Sequence, residues 1–487
     1  MTSAEPRHRV DSNERYRANP LIEALPEVPS RVQAFEALMH APAARWAGYR
    51  QAPLHRRLEL LHEMQELFLP GEQHICALQK LIGVIRQGYS YRDPNRPEVQ
   101  AALYRAGRGE PAQISRLSPS GGGSNGSVLW GVTGAGKTSF IDRVMSYLPT
   151  VPIEHKLIQE RSASWPQIAC LRIQCARTLK GTASALLRQI DEKLGTTYWA
   201  RGNTRMSREL YIGKVVQAMT IHFVGLLIVE DVQNLQEMRA ESGEVLEYFT
   251  DIMEESGIPV LLVSTYAARG ALLSNVKICS KLTAKGITDF APLEADHEDW
   301  VPLVEQLWQF NIFPAEAPMP AELPQALHFH TMGVRRFARE TLASAFEHAA
   351  RNGMSTVNQA LLDQIAGSEM LKYQPAVQIL RRRQVRDYIA PDEAKRFEDV
   401  LPPDLGLAGL EHSIAQRESL RRKSSQQDGP APGANSKKSS VPGQQLNGGK
   451  PHKRSTTSRR SPRQDGQPDL QQAQAVYRRL QADGKIA

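Results

Sequence analysis

The chain has 487 residues, 41% of them hydrophobic, and a formal charge of +8, enough for two or three domains and a substantial core. The charge is unevenly placed: residues 413–467 hold 12 Lys/Arg and 3 Asp/Glu, a net of +9, so the rest sums to about −1. This excludes overall basicity as an argument that the folded body binds nucleic acid, because the tail is the electropositive part.

The N-terminus is polar and charged, without the apolar stretch of a signal peptide. Residues 1–117 read as a helical N-terminal extension that serves partner binding. Its helical patterns are His55–Leu69 and Gln73–Gln87, separated by Pro70-Gly71. Residues 118–290 alternate strand and helix signals. A Gly/Ser linker, Ser118–Ser127, leads into an apolar strand, Ser127-Val128-Leu129-Trp130. A glycine-rich turn follows, then a helix over Lys137–Leu148 with Phe140, Ile141, Val144, Met145 and Leu148 on one face. Gln167–Cys175, Gly225–Val229 and Pro259–Ser264 read as further strands. Continuous apolar strands between helices predict an α/β fold with a parallel sheet covered on both faces. The longest apolar run near the middle, Phe223–Val229, is far too short to span a bilayer, so no membrane partner is expected. Four cysteines (Cys76, Cys170, Cys175, Cys279) lack metal-ligand spacing and fit a reducing, cytoplasmic setting.

Residues 291–370 read as all-helical. Trp300, Leu303, Leu307 and Trp308 share one face; Val334, Phe337, Thr341, Leu342, Ala345 and Ala349 share another. Residues 371–412 continue as a C-terminal helical segment. Residues 413–487 form a basic tail rich in Ser, Gly, Gln, Pro and Lys, which predicts disorder. The tail ends in a short helical pattern that Asp469 can cap with Gln472.

The turn reads Gly131-Val132-Thr133-Gly134-Ala135-Gly136-Lys137-Thr138, the G-x-x-x-x-G-K-T phosphate loop. Its glycines let backbone N–H groups point inward at an anion, and the following helix N-terminus lies under the phosphate. Lys137 can reach the β- and γ-phosphates, and Thr138 can ligate Mg²⁺. Ser139 completes the ATP-binding stretch. The strand Leu226–Val229 ends in Glu230 and Asp231, where a hydrolase of this type holds Mg²⁺ and polarises the attacking water. The usual order is Asp then Glu. Here Glu230 would hold the metal and Asp231 would orient the nucleophile. Asp is one methylene shorter than Glu, so slow hydrolysis is expected. Ser264 and Thr265 end the Pro259–Ser264 strand, where a hydroxyl can bond the attacking water or simply cap a turn. Gly333-Val334-Arg335-Arg336 opens a helix. Arg336 can reach the γ-phosphate or be an ordinary surface arginine, with Arg335 as its solvent-facing neighbour.

Phosphate loop, acidic strand end, polar strand end and G-x-x-R helix together resemble the AAA+ P-loop NTPases, whose helical lid corresponds to residues 291–370. Within that class the chain resembles the TnsC/TniB family, the regulatory ATPases of Tn-type DNA transposons. Three stretches carry this resemblance: Tyr16-Arg17-Ala18-Asn19-Pro20-Leu21-Ile22-Glu23-Ala24-Leu25-Pro26, Gly88-Tyr89-Ser90-Tyr91-Arg92-Asp93-Pro94 and Val232-Gln233-Asn234-Leu235. The resemblance implies an ATP- and Mg²⁺-dependent regulator. It assembles as a homo-oligomer, a ring of six or seven or a filament, on double-stranded DNA. There it links a TniQ/TnsD-type target selector to a TnsA/TnsB-type transposase. ATP would sit between subunits.

Related sequences carry arginines in the segment corresponding to Val276–Lys281. Here Lys277 and Lys281 stand there, unable to make a bidentate fork, with Arg269 as a nearby substitute. Lys180, Arg188, Lys193, Arg201, Arg205, Arg208 and Lys214 fall where such a ring faces its pore. Lys180, Arg201 and Arg205 are the chosen DNA contacts, to phosphates and without sequence preference. Solvated helix faces are the competing reading. A helicase or helicase-loader motor and a DNA-independent signalling NTPase remain the alternative functions.

Overall fold

A computed structural model describes residues 13–42, 48–110, 112–117, 125–155, 165–201, 208–238 and 242–402. The predicted tail 413–487 with its terminal helix, most of the Ser118–Ser127 linker and Arg205 lie outside the described residues.

The extension contributes α1 (Arg31–Leu38), α2 (Glu72–Tyr89) and α3 (Pro97–Gly107). Ser30 starts α1 with a capping box: its Oγ accepts from Gln33 N, and Gln33 Oε1 accepts from Ser30 N. The alternating region then runs β1 (Gly126–Gly131), α4 (Lys137–Tyr147), β2 (Ile153–His155), β3 (Trp165–Gln167), β4 (Cys170–Gln174), α5 (Leu179–Leu194), α6 (Arg208–Ile221), β5 (Leu226–Glu230), α7 (Ser242–Ser256), β6 (Val260–Ser264), α8 (Val276–Leu282) and β7 (Ile287–Phe290). The main sheet has the order β4-β5-β6-β1-β7 with every neighbouring pair parallel. β1, β5 and β6 are buried along their whole length, as their apolar runs predict. Register sets Gln174 beside Glu230 and Trp130 beside Ser264. Parallel strands finish on one rim, so the loops after β1, β5 and β6 meet there.

A second core belongs to α9 (Trp300–Trp308), α10 (Leu323–Thr331), α11 (Arg335–Arg351) and α12 (Gln359–Gly367), packed around Trp300, Leu307, Phe313 and Phe346. Leu60, Leu61, Met64 and Leu69 of the extension join this cluster, whereas Leu21, Leu38, Leu78 and Ile85 join the core of the sheet. The extension thus belongs to both cores. α13 (Gln374–Gln384) and α14 (Pro391–Arg396) come last, and Val377, Leu380 and Val400 return to the sheet's core.

Two of the signature stretches tie the extension to the sheet. Asn19 Nδ2 donates to the Tyr89 carbonyl at 2.9 Å, and Tyr89 Oη donates to the Phe223 carbonyl at 2.5 Å. Buried Arg92 donates through Nη1 to Val224 O at 2.7 Å and lies over the Tyr89 ring at 4.5 Å. Tyr91 Oη donates to Gly257 O at 2.9 Å. These bonds hold the turns that lead into β5 and β6.

Two sequence expectations change, and one strand, β7, is new. His55–Leu69 is two short helices, Leu54–Arg57 and Glu59–Glu63, because Arg57 turns to the carbonyls of Ala52 and Ile312 and Phe68 bridges to the backbone of His40. Gln167–Cys175 is divided between β3, which pairs antiparallel with β2, and β4 in the main sheet. β7 has no apolar run; it is an edge strand, and its Ile287 is exposed.

Candidate phosphate-binding site

Between β1 and α4, Gly134 and Gly136 take φ of +87° and +96°, left-handed values open to glycine without steric cost. That curl aims backbone N–H groups at the start of α4, where the helix dipole favours an anion. Lys137 Nζ donates to the carbonyls of Gly131 and Val132 at 3.0 and 2.9 Å. Burial pushes its ammonium down to about 8, against the opposing pull of Asp399, Asp231, Asp289 and Glu230. Thr138 and Ser139 occupy the first turn of α4 beside it.

Glu230 closes β5 with its side chain buried. Its Oε2 accepts from Arg172 Nε at 2.5 Å, and Arg172 Nη1 donates to Asp142 Oδ1 at 2.5 Å. Asp231 has φ of +57°, a left-handed conformation that Asp tolerates better than most residues. Its Oδ1 accepts from Gln233 Nε2 at 3.0 Å. Gln233 Oε1 in turn accepts from Ser264 Oγ at 3.0 Å and Thr265 N at 3.3 Å. One amide therefore joins the acidic strand end to the polar one. The Thr265 hydroxyl itself donates to Asp399 Oδ1.

The first turn of α11 rests on the phosphate loop: Arg336 N donates to Gly134 O at 3.0 Å. The Arg336 guanidinium donates through Nε to Glu340 Oε1 at 2.7 Å, one turn along its own helix. Arg335 is not solvent-facing. It is half-buried, and its Nη1 donates to the Leu69 carbonyl at 2.9 Å, because the turn at Gly333 lays this end of α11 against the extension. Arg335, Arg336, Phe68, Leu69 and Lys137 border a cavity of about 250 Å³.

These residues fit a nucleoside triphosphate with Mg²⁺. The loop amides and Lys137 suit phosphates, Thr138 and Glu230 offer oxygens to a cation, and the cavity lies between residues 67–69, the loop, α9 and α11. When bound, the ion neutralises charge on the terminal phosphate.

Sequence reasoning did not assign Arg172, Gln233, Asp289 or Asp399 to the site. Arg172 had a signal, a lone charge within the otherwise apolar Cys170–Ile173 run. Asp399 had none, since it lies 134 residues from Thr265.

The remaining candidates are dispersed. Lys180 is exposed in the first turn of α5, and Arg201 ends a short helical turn, Tyr198–Arg201. Arg188 lies over the Trp199 ring at 4.5 Å, and Lys193 donates to Thr150 O at 3.0 Å. Lys277 is exposed at the start of α8, which Asn275 caps. Lys281 pairs with Glu254 of the same chain. Arg269 is half-buried, and its Nε has no hydrogen-bond partner among the described residues.

The profile of the family described as an AAA domain matches residues 122–272, from just before β1 to beyond Thr265. The fold is an AAA+ P-loop fold. AAA+ domains in general bind and hydrolyse nucleotides. Among solved structures the chain is similar to the Aeropyrum pernix ORC1 protein in complex with DNA, at 18% identity over 59% of this chain and 67% of that one, with a TM-score of 0.36. It is also similar to Cdc6p from Pyrobaculum aerophilum, at 14% identity over 67% and 87%, with a TM-score of 0.37. Drosophila ORC bound to DNA matches at 14% identity over 73% and 87%, with a TM-score of 0.35. Likeness at these scores is too distant to bear on function. No curated protein matches the chain. Among the described residues no helix is long and apolar enough to cross a membrane.

Proposed function

We propose that this chain is a slow, Mg²⁺-dependent ATPase of the TnsC/TniB type that oligomerises on double-stranded DNA and connects a TniQ/TnsD-type target selector to a TnsA/TnsB-type transposase. The observation that carries the nucleotide part is the meeting of Lys137, Glu230, Asp231 and Thr265 on one rim of the sheet, with α11 seated on the loop. Glu230 and Thr138 would hold the cation, Asp231 would orient the attacking water, and Arg336 would exchange Glu340 for the terminal phosphate.

The order of the three signature stretches around the phosphate loop supports the transposition role. Val276, 83% exposed next to Lys277 at the start of α8, is the proposed subunit contact. Lys180, Arg201 and Arg205 are the proposed contacts to DNA phosphates, and Lys277, Lys281 and Arg269 the candidates to complete a neighbour's site.

Electron microscopy with a slowly hydrolysed ATP analogue, with and without duplex DNA, tests the reading. Rings or filaments are expected only with both, and Lys137→Ala should abolish them. Turnover well above ~1 per second with strand unwinding would instead identify a motor. Assembly indifferent to DNA would identify a signalling switch.

A further inference from the structure

The residues after the lid return to the phosphate loop. Phe397 and Val400 pack on the core of the sheet. Arg382 of α13 holds the approach in place, donating to Glu393 Oε1 at 2.6 Å and to the Tyr388 carbonyl at 2.5 Å. This anchorage delivers Asp399 to three groups of the nucleotide machinery. Its carbonyl accepts the N–H of Thr133, a phosphate-loop residue, at 2.8 Å. Its carboxylate accepts the hydroxyl of Thr265, and among the carboxylates acting on Lys137 it exerts the strongest pull. An amide of the phosphate loop, the strand-end hydroxyl and the lysine are the donors that a terminal phosphate requires. Asp399 already engages two of them, the Thr133 amide through its carbonyl and the Thr265 hydroxyl through its carboxylate, while Lys137 donates to the Gly131 and Val132 carbonyls.

We propose that Asp399 is a built-in competitor for the terminal phosphate of the nucleotide. The Pro391–Pro402 segment closes the phosphate site of the free chain and withdraws when a triphosphate binds. This rests on the reading of residues 131–138 as an ATP site. A terminal phosphate and the Asp399 carboxylate cannot both take the Thr265 hydroxyl, the Asp399 carbonyl already holds the Thr133 amide, and repulsion between the two anions in a partly dry site adds to the exclusion. ADP makes no demand on the terminal-phosphate donors, so it leaves the segment seated. The apparent affinity for ATP is the intrinsic affinity reduced by the fraction of chains with the segment open. A partner that binds the released segment would thereby raise ATP affinity, and the coupling is reciprocal.

The full chain is titrated with ATPγS and with ADP as wild type, Asp399→Ala, Asp399→Asn and Lys137→Ala. Both Asp399 variants should bind ATPγS about tenfold more tightly than wild type, the weight of one hydrogen bond to a charged group. ADP affinity should stay within about twofold. Hydrogen exchange on the wild type supplies a readout free of any folding defect: amides of 391–402 should exchange faster with ATPγS and unchanged with ADP. Weaker or unaltered ATPγS binding in the variants, or slower exchange with ATPγS, overturns the proposal and makes Asp399 part of the bound site. Lys137→Ala binding ATPγS as well as wild type would instead remove the ATP-site reading itself.

Discussion

Arg172, in the middle of β4 and paired in register with Ile228, reaches along the sheet to Glu230 at the end of β5, and the two share an ion pair of 2.5 Å between Nε and Oε2. The Glu230 side chain is 9% exposed and Arg172 28%, so the pair is shielded yet within reach of a cation. Removing the guanidinium leaves a buried carboxylate without its partner. Arg172→Ala should cost about 1–3 kcal/mol in urea unfolding. It should also lower the Mg²⁺ concentration for half-maximal turnover, because Arg172 and the cation compete for one oxygen. Unchanged stability and an unchanged Mg²⁺ requirement would show that the pair contributes nothing.

Lys137 predicts a proton linkage. Its folded value of about 8 lies below the ordinary 10.5, so at pH 8 about half the free chains hold it neutral. A bound triphosphate favours the ammonium, and binding should take up as much as half a proton at pH 8 and almost none at pH 6. Calorimetry in two buffers of different ionisation enthalpy reads this directly. Proton release at pH 8 would contradict the assignment.

Gly134 tests the seating of α11 on the loop. A Cβ there would meet the Cβ of Arg336 at 2.9 Å, on a backbone with φ of +87°. Gly134→Ala should destabilise by about 1–3 kcal/mol and weaken nucleotide binding. Gly213 in α6 has open space around it, and Gly213→Ala should instead stabilise by about 0.5–1 kcal/mol. Equal effects from both changes in denaturant melts would refute the steric argument.

Glu340 holds the Arg336 guanidinium along its own helix. Burial raises its carboxyl, but hydrogen bonds from Tyr373, Arg336 and Lys372 outweigh it and bring the group down to about 2, from 4.5. A depressed carboxylate contributes stability that is complete above 4.5 and is lost as pH falls toward 2. Glu340→Gln should therefore be less stable than wild type at pH 7, with the difference closing between pH 4.5 and 2. A pH-independent gap in thermal melts would argue against this.

Val276→Asp should impair assembly on DNA without altering nucleotide binding by a single chain. Sedimentation with ATPγS and duplex DNA, beside an ATPγS titration, separates the two. Loss of both would point to misfolding of α8 rather than to a subunit contact.

The local chemistry of this protein was legible in its sequence. Phosphate loop, flanking strand and following helix are neighbours along the chain, and their spacing alone puts glycines where φ is positive and a lysine at a helix start. The apolar runs of β1, β5 and β6 announced buried parallel strands for the same reason. Other features depend on distant packing. β7, a short edge strand without an apolar run, is recognisable only through its pairing with β1. Arg172 meets Glu230 across 58 residues, and Asp399 meets Thr265 across 134. Arg335 was expected in solvent, and only the seating of α11 on the extension turned it inward. Spacing along a chain constrains groups within a turn or a strand. Which long-range partner a buried carboxylate finds is settled by how the two cores close, and there only the tertiary structure decided.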